Sequence, residues 1–302
     1  GVIDTDDTFI CNSGFSYGRG AFMGCHSHSS VTNFHLAVYQ SCNTYFSQVY
    51  RKSIDKYSSP QEGIDNWAKH VKSFGLGNFL GSDLPIGRRG KLPSSEYYNK
   101  IYKFPTYKWN STATISNAIG QGEIIATPIQ LANMTAAIAN RGYYYIPHII
   151  KEIDGVSIKD SAFTVPKYTT IDTKHFEPVI EGMFDVYNKG TATHLKIPGI
   201  DICGKTGTAE NFVRIDGKRM QLTDHSIFIA FAPKDDPQIA LAVFVENGYW
   251  GGRYAGRIAS LMIEKYIKGE ITQKAMEEWV TSRSLEEEYA KPYSGQPFLI
   301  NQ

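Results

Sequence analysis

The stretch CGKTGTAEN, residues 203–211, lies about two thirds of the way along a chain of 302 residues. Segments that favour β-structure flank it, IPGID before and DHSIFIAFAP after, so the stretch is predicted to belong to a strand. A buried strand favours Val, Ile or Phe, and glycine weakens a strand that has no special use for it. Lys205-Thr206-Gly207 is therefore either a β-bulge with a solvated lysine or one wall of a binding site.

The composition is that of an ordinary globular protein. Hydrophobic residues make up 42% and charged residues 20% of the chain. The chain has 31 Lys and Arg residues and 30 Asp and Glu residues. Because the charges nearly balance, no basic surface for nucleic acid is expected. No run of about 18 apolar residues predicts a membrane span. The chain opens GVIDTDDTFICN, without a methionine or a signal peptide, and we expect it to be an N-terminally truncated segment of a longer protein.

Helical patterns occupy the middle of the chain, and strand patterns lie towards both ends. The clearest helix lies within residues 120–142, where Thr127 is a capping residue, Pro128 suits the first turn and Gly142 ends the pattern. The segment between residues 78 and 111 is expected to be irregular. Other helices are predicted at residues 29–40, 41–54, 66–77, 174–189 and 254–269.

The last third of the chain predicts an antiparallel meander. Its strand candidates are IPGIDICGKTGTAEN, DHSIFIAFAP and QIALAVFVEN, and Asp216-Gly217 marks a turn in the loop between the first two. Strands and helices in separate parts of a chain indicate an α+β fold. We expect a helical part at about 30–142, a sheet part at about 1–25 and 143–270, and a C-terminal tail at 271–302.

The cysteines are Cys11, Cys25, Cys42 and Cys203. Cys11 with Cys25-His26-Ser27-His28 suggests zinc, but an adjacent Cys and His cannot easily reach one tetrahedral ion, so no metal is expected. GFSYGRG, residues 14–20, predicts a turn between two short strands. Because Cys11 and Cys25 flank that turn, they could form a disulfide in an oxidising compartment, and the sequence does not decide this.

A second motif, Ser41-Cys42-Asn43, falls at the break between two predicted helices. Alone it would be a helix cap, since Ser and Asn are capping residues. Together with the later Lys-Thr-Gly it belongs to the motif set of penicillin-binding proteins and class A β-lactamases, which comprises Ser-x-x-Lys, Ser-Asp-Asn and Lys-Thr-Gly.

The chain resembles the transpeptidase domain of a class B penicillin-binding protein, and most resembles the elongation type. The similarity runs nearly from end to end, through CH..H, SCNTYF, GLGNFLGSDLP, GQGEIIATPIQLA, KGTA, GKTGTAEN, DHSIFIAFAP and PQIALAVFVENG. It implies the penicillin-binding and serine β-lactamase-like fold, an antiparallel sheet flanked by helices with an all-helical subdomain.

Strand geometry and the resemblance together assign roles to the Lys-Thr-Gly strand. Thr206 and Thr208 share one face, and Lys205 and Gly207 share the other. The two hydroxyls are predicted to hold the terminal carboxylate of a peptide, and Gly207 to give Lys205 room. The resemblance also makes the Thr208 N–H half of an oxyanion hole.

Ser41 and Asn43 complete the predicted site. Lys205 is expected to reach towards Ser41 and help its hydroxyl pass a proton to the leaving amine. The Asn43 amide is predicted to hydrogen-bond both the substrate backbone and a catalytic lysine.

The nucleophile that this chemistry needs is not found in the chain. A serine three residues before a lysine lies one helical turn from it, so that the amine can activate the hydroxyl. The resemblance places such a pair before Ser41, yet the only Ser-x-x-Lys here is Ser53 to Lys56, after it. We expect the nucleophile upstream of Gly1, and this segment to be inactive by itself.

The predicted function is a D,D-transpeptidase that cross-links peptidoglycan stem peptides through a serine acyl-enzyme and is a target of β-lactams. The alternatives are a non-catalytic β-lactam sensor domain and a D,D-carboxypeptidase or β-lactamase of the same fold. The resemblance implies no cofactor and a polytopic glycan polymerase of the elongation machinery as partner. It also implies a location on the extracytoplasmic, periplasmic face of a bacterial inner membrane, with the anchor outside this chain.

Overall fold

A computed structural model describes residues 1–18, 20–83, 87–157 and 160–290. The chain divides into two units, Gly1–Gly182 and Met183–Gln302. The α+β prediction is confirmed, because helices dominate the first unit and a three-stranded antiparallel sheet lies in the second. Among the described residues no helix is both long enough and apolar enough to span a membrane.

The helices of the first unit begin at side chains that cap them. Asn33, Ser59 and Ser94 each accept a hydrogen bond from a backbone N–H in the first turn of the following helix, which satisfies one of the otherwise unpaired N–H groups there. The α-helices are α1 (Phe34–Tyr39), α2 (Asn43–Asp55), α3 (Pro60–Lys72), α4 (Ser95–Ile101), α5 (Pro128–Ala139) and α6 (Ser161–Thr164), with a 3-10 helix at Ser111–Ile119.

The strands of the first unit are short and pair as four antiparallel ladders, β1 with β4, β2 with β3, β5 with β8 and β6 with β7. The β2–β3 hairpin confirms the turn predicted between Cys11 and Cys25. The bounds are β1 (Phe9–Ile10), β2 (Gly14–Ser16), β3 (Phe22–Gly24), β4 (Val31–Thr32), β5 (Tyr143–Tyr144), β6 (Glu152–Ile153), β7 (Val156–Ser157) and β8 (Lys167–Tyr168).

An aromatic core holds this unit together. Buried Tyr50, Ile54 and Ile64 of α2 and α3 join Tyr98 and Trp109 in one cluster. Each large apolar side chain removed from water contributes roughly 2 kcal/mol. The Tyr50 and Tyr98 hydroxyls both contact the Asn117 amide, at 3.3 and 2.8 Å, so the phenols enter the core with their polar atoms bonded.

The second unit is built on the predicted meander. Its strands are β9 (Cys203–Ala209), β10 (Phe212–Ile215), β11 (Lys218–Gln221), β12 (His225–Ala232) and β13 (Ile239–Val245). The main sheet has the order β13-β12-β9, and the loop after β9 folds into the β10–β11 hairpin around Asp216 and Gly217. Helix α7 (Phe176–Asn188) crosses into this unit, and α8 (Ala255–Lys268), α9 (Lys274–Thr281) and α10 (Glu286–Ala290) follow the sheet.

Helices α7 and α8 meet the sheet through buried aromatic side chains. The rings of Tyr187 and Phe228 lie edge to face, 5.8 Å between centroids. The Tyr187 hydroxyl is 2.9 Å from the Ser260 hydroxyl of α8. This packing fixes one face of β12, the strand that pairs with the Lys-Thr-Gly strand.

The structure corrects two sequence predictions. Residues 78–111 are not uniformly irregular, because α4 forms between Ser95 and Ile101; Ser94 as a cap and Glu96 in the first turn were the missed signals. The third helix begins at Pro60 and not near residue 66, since Ser59 caps it and Pro60 occupies its first turn. The expected tail at 271–302 contains α9 and α10, and its residues 291–302 lie outside the described residues.

Candidate active site and metal centre

The Lys-Thr-Gly motif lies at the centre of β9, an edge strand in the described part of the chain. Its register with β12 pairs Gly207 with Ile227 and Thr208 with Ser226. An edge strand leaves the backbone groups of one side available to an added strand. The motif therefore presents both its side chains and its backbone at the border of the sheet.

Lys205 is half-buried, and its Nζ donates to the Thr206 carbonyl oxygen at 3.1 Å. Burial lowers the pKa of Lys205 to about 8, because desolvation disfavours the charged ammonium. An amine with a pKa in this range can hold or release a proton near neutral pH.

The two threonine hydroxyls of the strand contact neighbouring loops. Thr206 Oγ1 lies 3.0 Å from Thr191 Oγ1, and Thr208 Oγ1 accepts a 3.4 Å hydrogen bond from the Gly251 N–H. The substrate-binding roles of Thr206, Gly207 and Thr208 stay predictions.

Ser41-Cys42-Asn43 forms the turn between α1 and α2 in the first unit, as predicted. Ser41 has a φ of 57°, which reverses the chain, and Cys42 is the N-cap of α2. Asn43 is the first helical residue, and its Nδ2 donates to the Gly24 carbonyl oxygen at 2.7 Å. The catalytic roles of Ser41, Asn43 and Lys205 stay predictions.

Three thiols and an imidazole meet directly beneath this turn. The ligand atoms of Cys11, Cys25, His28 and Cys42 all lie within 4.8 Å of one another, and none of these three cysteines forms a disulfide. The strands β1 to β4 and the start of α2 bring these residues together from three separate parts of the sequence.

The imidazole of His28 is oriented as in metal centres. Its Nδ1 lies 2.7 Å from the Ser29 carbonyl oxygen, whereas its Nε2 is buried and has no hydrogen-bond partner. Metal-ligating histidines usually donate the other ring N–H to a carbonyl or a carboxylate, which fixes the tautomer. His28 shows this arrangement, with Nε2 left to accept from or coordinate a ligand.

Two of the thiols accept hydrogen bonds from backbone N–H groups at the start of α2. The Thr44 N–H donates to Cys25 Sγ at 3.3 Å, and the Tyr45 N–H donates to Cys42 Sγ at 3.4 Å. The hydrogen bond from Cys42, helped by those from Thr44, lowers the pKa of Cys25 to about 4, whereas the same contact with Cys25, followed by burial, raises the pKa of Cys42. Three sulfurs and one imidazole nitrogen are the donor set of structural zinc sites.

This cluster was not predicted from the sequence, because the adjacent Cys25 and His26 cannot both reach one tetrahedral ion. The structure brings in His28, three residues later, and adds Cys42 from the Ser41-Cys42-Asn43 motif. The sequence carries no spacing that marks Cys11, Cys25, His28 and Cys42 as one ligand set, and only the fold shows that these positions converge.

The Ser53 to Lys56 tetrad has ordinary structural contacts. Ser53 Oγ donates to the Val49 carbonyl oxygen one turn earlier in α2, at 2.8 Å, a common back-bond of helical serines. Lys56 is exposed, and its Nζ lies over the Tyr57 ring, 5.0 Å from the centroid. That this pair is not the nucleophile stays a prediction.

The chain matches the penicillin binding protein transpeptidase domain family over residues 1–264. It therefore belongs to this family of transpeptidase domains.

Among curated proteins the chain is similar to the peptidoglycan D,D-transpeptidase MrdA of Acinetobacter baumannii, with 35% identity over 235 residues that make up 74% of this chain and 33% of that protein. MrdA of Haemophilus influenzae is 31% identical over 255 residues, 80% of this chain and 37% of that protein. The chain thus spans about a third of the length of these relatives.

Two solved structures share the fold. Pseudomonas aeruginosa PBP2, in complex with WCK 5153, superposes with a TM-score of 0.70 at 27% identity. The match covers 91% of this chain and 57% of the PBP2 chain. A chain of a peptidoglycan synthase complex that coordinates polymerization and crosslinking gives a TM-score of 0.74 at 26% identity, with 91% of this chain and 44% of that one covered.

Proposed function

We propose that this chain is part of a peptidoglycan D,D-transpeptidase that cross-links stem peptides through a serine acyl-enzyme. The observation that carries the proposal is the Lys-Thr-Gly-Thr motif on an edge strand with a partly desolvated lysine. The names of the MrdA relatives support the reaction. An extended peptide can lie along an edge strand and be held by main-chain hydrogen bonds.

In this mechanism the serine hydroxyl of an upstream Ser-x-x-Lys attacks the carbonyl carbon of the donor peptide and displaces its terminal D-amino acid. Thr206 and Thr208 hold the terminal carboxylate, and the Thr208 N–H stabilises the oxyanion. Protonated Lys205 lowers the cost of negative charge, while Ser41 relays a proton to the leaving amine. Asn43 orients the substrate amide. The amine of a second stem peptide then attacks the acyl-enzyme, and the serine is regenerated.

The proposed reaction also indicates which molecules the domain would bind. β-Lactams would acylate the serine as mimics of the donor peptide. The similarity to a chain of a peptidoglycan synthase complex supports a glycan polymerase as the partner. The reaction places the domain on the extracytoplasmic side of a bacterial membrane, where peptidoglycan is made.

The test is intact-mass spectrometry of the full-length polypeptide after incubation with penicillin, beside this 302-residue chain. We expect one adduct on the full-length polypeptide, none on the 302-residue chain and none on the full-length Lys205→Ala variant. The matched control is Lys196→Ala, because Lys196 is an exposed lysine that bonds Asn188 at 2.6 Å. Normal acylation of Lys205→Ala would contradict the role of Lys205.

A second assay separates the candidate functions. With donor and acceptor stem peptides, a transpeptidase forms a cross-linked dimer with one D-alanine released per bond. A carboxypeptidase releases D-alanine without a dimer, and a sensor domain forms only the drug adduct. Absence of a dimer from a polypeptide that penicillin acylates would reject the proposed reaction.

We propose further that Cys11, Cys25, His28 and Cys42 hold a structural Zn²⁺. Four protein ligands close a site to water, which is typical of a structural and not a catalytic ion. The buried, unpartnered Nε2 of His28 supports the proposal, since a buried polar atom without a partner is costly. The ion would tie the two hairpin-like ladders β1–β4 and β2–β3 to the start of α2. This proposal reverses the expectation from sequence that no metal binds.

Elemental analysis of the purified chain tests this second proposal, with one zinc per chain expected. Co²⁺ in place of Zn²⁺ should give the thiolate-to-cobalt charge-transfer band and the visible bands of a tetrahedral site. Cys42→Ser should lose the metal, whereas Cys203→Ser, the cysteine outside the cluster, should keep it. Metal-free wild-type protein after purification with Zn²⁺ present, or equal loss in both variants, would overturn the assignment.

A further inference from the structure

A buried carboxyl group lies in the C-terminal helix α10, beyond the residues that the family matches. Only 9% of Glu288 is exposed, whereas its neighbour Glu287 is exposed. Burial of a carboxyl group is unfavourable unless hydrogen bonds compensate it. Glu288 accepts from Thr223 Oγ1 at 2.8 Å and from the Tyr249 hydroxyl at 2.5 Å. Two hydroxyl donors from separate segments therefore converge on this single side chain.

Those two donors flank the strand pair β12–β13 in the sequence, and β12 is the strand that pairs with the Lys-Thr-Gly motif. Thr223 precedes β12 by one residue, separated from it only by Asp224, and Tyr249 belongs to the loop 246–254 between β13 and α8. Burial, followed by the hydrogen bond to Glu288, raises the pKa of Tyr249 to about 12, so the phenol keeps its proton and remains a donor. The Tyr249 N–H is bonded to the Asp224 carbonyl oxygen at 2.9 Å. Glu288 thus holds the loop and the start of β12 together.

Tyr249 needs such support, because its backbone is in an unfavourable conformation. Its φ is 66°, in the left-handed region that a bulky residue rarely adopts. Strain of this kind persists only where surrounding contacts enforce it. The hydroxyl bond to Glu288 is one such contact at the far end of the side chain.

The strained loop lies directly against the Lys-Thr-Gly strand. The Gly251 N–H donates to Thr208 Oγ1 at 3.4 Å, and Ser226 Oγ, opposite Thr208, donates to the Trp250 carbonyl oxygen at 2.9 Å. A Cβ built on Gly251 would lie 2.6 Å from the Gly207 carbonyl oxygen. The loop is therefore in backbone contact with Gly207 and fixes the Thr208 hydroxyl.

We infer that Glu288 is a positioning residue for carboxylate recognition: it holds loop 246–254 against Gly207 and Thr208, and so keeps Thr208 in place for the substrate's terminal carboxylate. The inference rests on the proposed function, since it assigns the carboxylate to this strand. It gives α10 a part in the site although α10 is outside the family-matched residues.

The experiment measures acylation of the full-length polypeptide by a penicillin and by the neutral methyl ester of the same penicillin. We expect wild type to prefer the carboxylate. Glu288→Ala should lower the rate constant for the carboxylate form about tenfold and leave that for the ester nearly unchanged, so the preference ratio collapses. Tyr249→Phe, which removes only the hydroxyl, should move the ratio in the same direction. The matched control Glu287→Ala should leave both rates at the wild-type value.

The ratio separates positioning from stability. A variant that only lowered the folded fraction would slow both compounds equally and keep the ratio, and this outcome in both Glu288→Ala and Tyr249→Phe would overturn the inference. If Glu288→Ala does not fold, Tyr249→Phe and Glu288→Gln decide, because they keep the side-chain volume. A wild type that neither compound acylates would instead refute the proposed transpeptidase, so the two failures are distinguishable.

Discussion

The Ser41-Cys42-Asn43 turn and the Lys-Thr-Gly strand are held by different kinds of contact. The strand has its place in a ladder, where register with β12 fixes each residue. The turn depends on side chains from distant segments: the Asn43 amide reaches Gly24, and the Cys42 sulfur lies among Cys11, Cys25 and His28. Backbone pairing thus secures one motif and side-chain contacts secure the other, so the two should respond to different perturbations.

Removal of the proposed metal should affect only the turn, and it is the largest effect we expect. A chelator should lower the free energy of unfolding of the first unit by about 4 kcal/mol if zinc is normally present at about a thousand times its Kd. Hydrogen exchange should rise in peptides around α2 and the β1–β4 ladder and stay unchanged in β12. Equal hydrogen exchange around α2 with and without the chelator would contradict a metal that stabilises the turn.

A methyl group at residue 251 should affect only the strand. In Gly251→Ala the new Cβ would collide with the Ile227 carbonyl oxygen, and the backbone cannot move aside as a flexible side chain can. We expect a loss of about 3 kcal/mol of unfolding free energy, measured by urea denaturation. Gly252→Ala is the control, since its Cβ would lie 3.3 Å from a His194 side-chain carbon that can move. Equal stability of the two variants would contradict the close backbone contact.

The pH dependence of acylation sharpens the comparison further, because it reports on the strand alone. Lys205 has a pKa lowered from 10.5 to about 8 by burial, so it is charged below pH 8 and neutral above it. If the cation is required, acylation of the full-length polypeptide should fall as pH rises, to about a tenth of its plateau one pH unit above the pKa.

The effect of Lys205 on stability has the opposite sign to its effect on acylation: stability rises with pH while acylation falls. Unfolding of this site therefore cannot cause the loss of acylation. With a pKa lower in the folded than in the unfolded state, Lys205 makes the fold more stable as pH rises from about 8 to 10.5. Lys205→Arg keeps a charge across this range and should flatten the profile. A profile of unchanged shape in Lys205→Arg would assign the titration to another group.

The smallest expected effect is the loss of one hydrogen bond at the turn. Asn43→Ala removes the 2.7 Å bond from Nδ2 to the Gly24 carbonyl oxygen, and this should cost about 1 kcal/mol in urea denaturation. Asn66→Ala is the control, because Asn66 makes a 2.9 Å bond within a single helix, to the Glu62 carbonyl oxygen, and links no separate segments. A larger loss in Asn66→Ala than in Asn43→Ala would show that this link contributes little.

The difference between the two motifs also explains what the sequence could predict. The meander and the helix Pro128–Ala139 follow from local patterns, alternation in the first case and Thr127 with Pro128 in the second. Alternation equally predicted which side chains of β9 share a face. Such features depend on neighbours within a few residues, so the amino-acid sequence is enough to predict them.

The thiol cluster and the Glu288 contacts could not be predicted in this way. Cys11 and Cys42 are brought together by two ladders and a helix start, and nothing in the sequence specifies which histidine joins them. Glu288 is the last of three consecutive glutamates, residues 286–288, a pattern that predicts a solvent-exposed helix face. Only the tertiary fold distinguishes the buried Glu288 from Glu287. Contacts between distant segments require the three-dimensional arrangement.

Residue 42 has an evolutionary consequence, because two local requirements fall on its sulfur and a third on its backbone. The Cys42 sulfur caps α2 by accepting from the Tyr45 N–H, it lies in the thiol–imidazole cluster, and its backbone joins Ser41 to Asn43. A serine could replace the cap and a valine could fill the space, but neither could replace the sulfur among the other thiols. Mutational paths through this position are therefore narrow, and substitutions should accumulate in the residues around Cys42 before Cys42 itself changes.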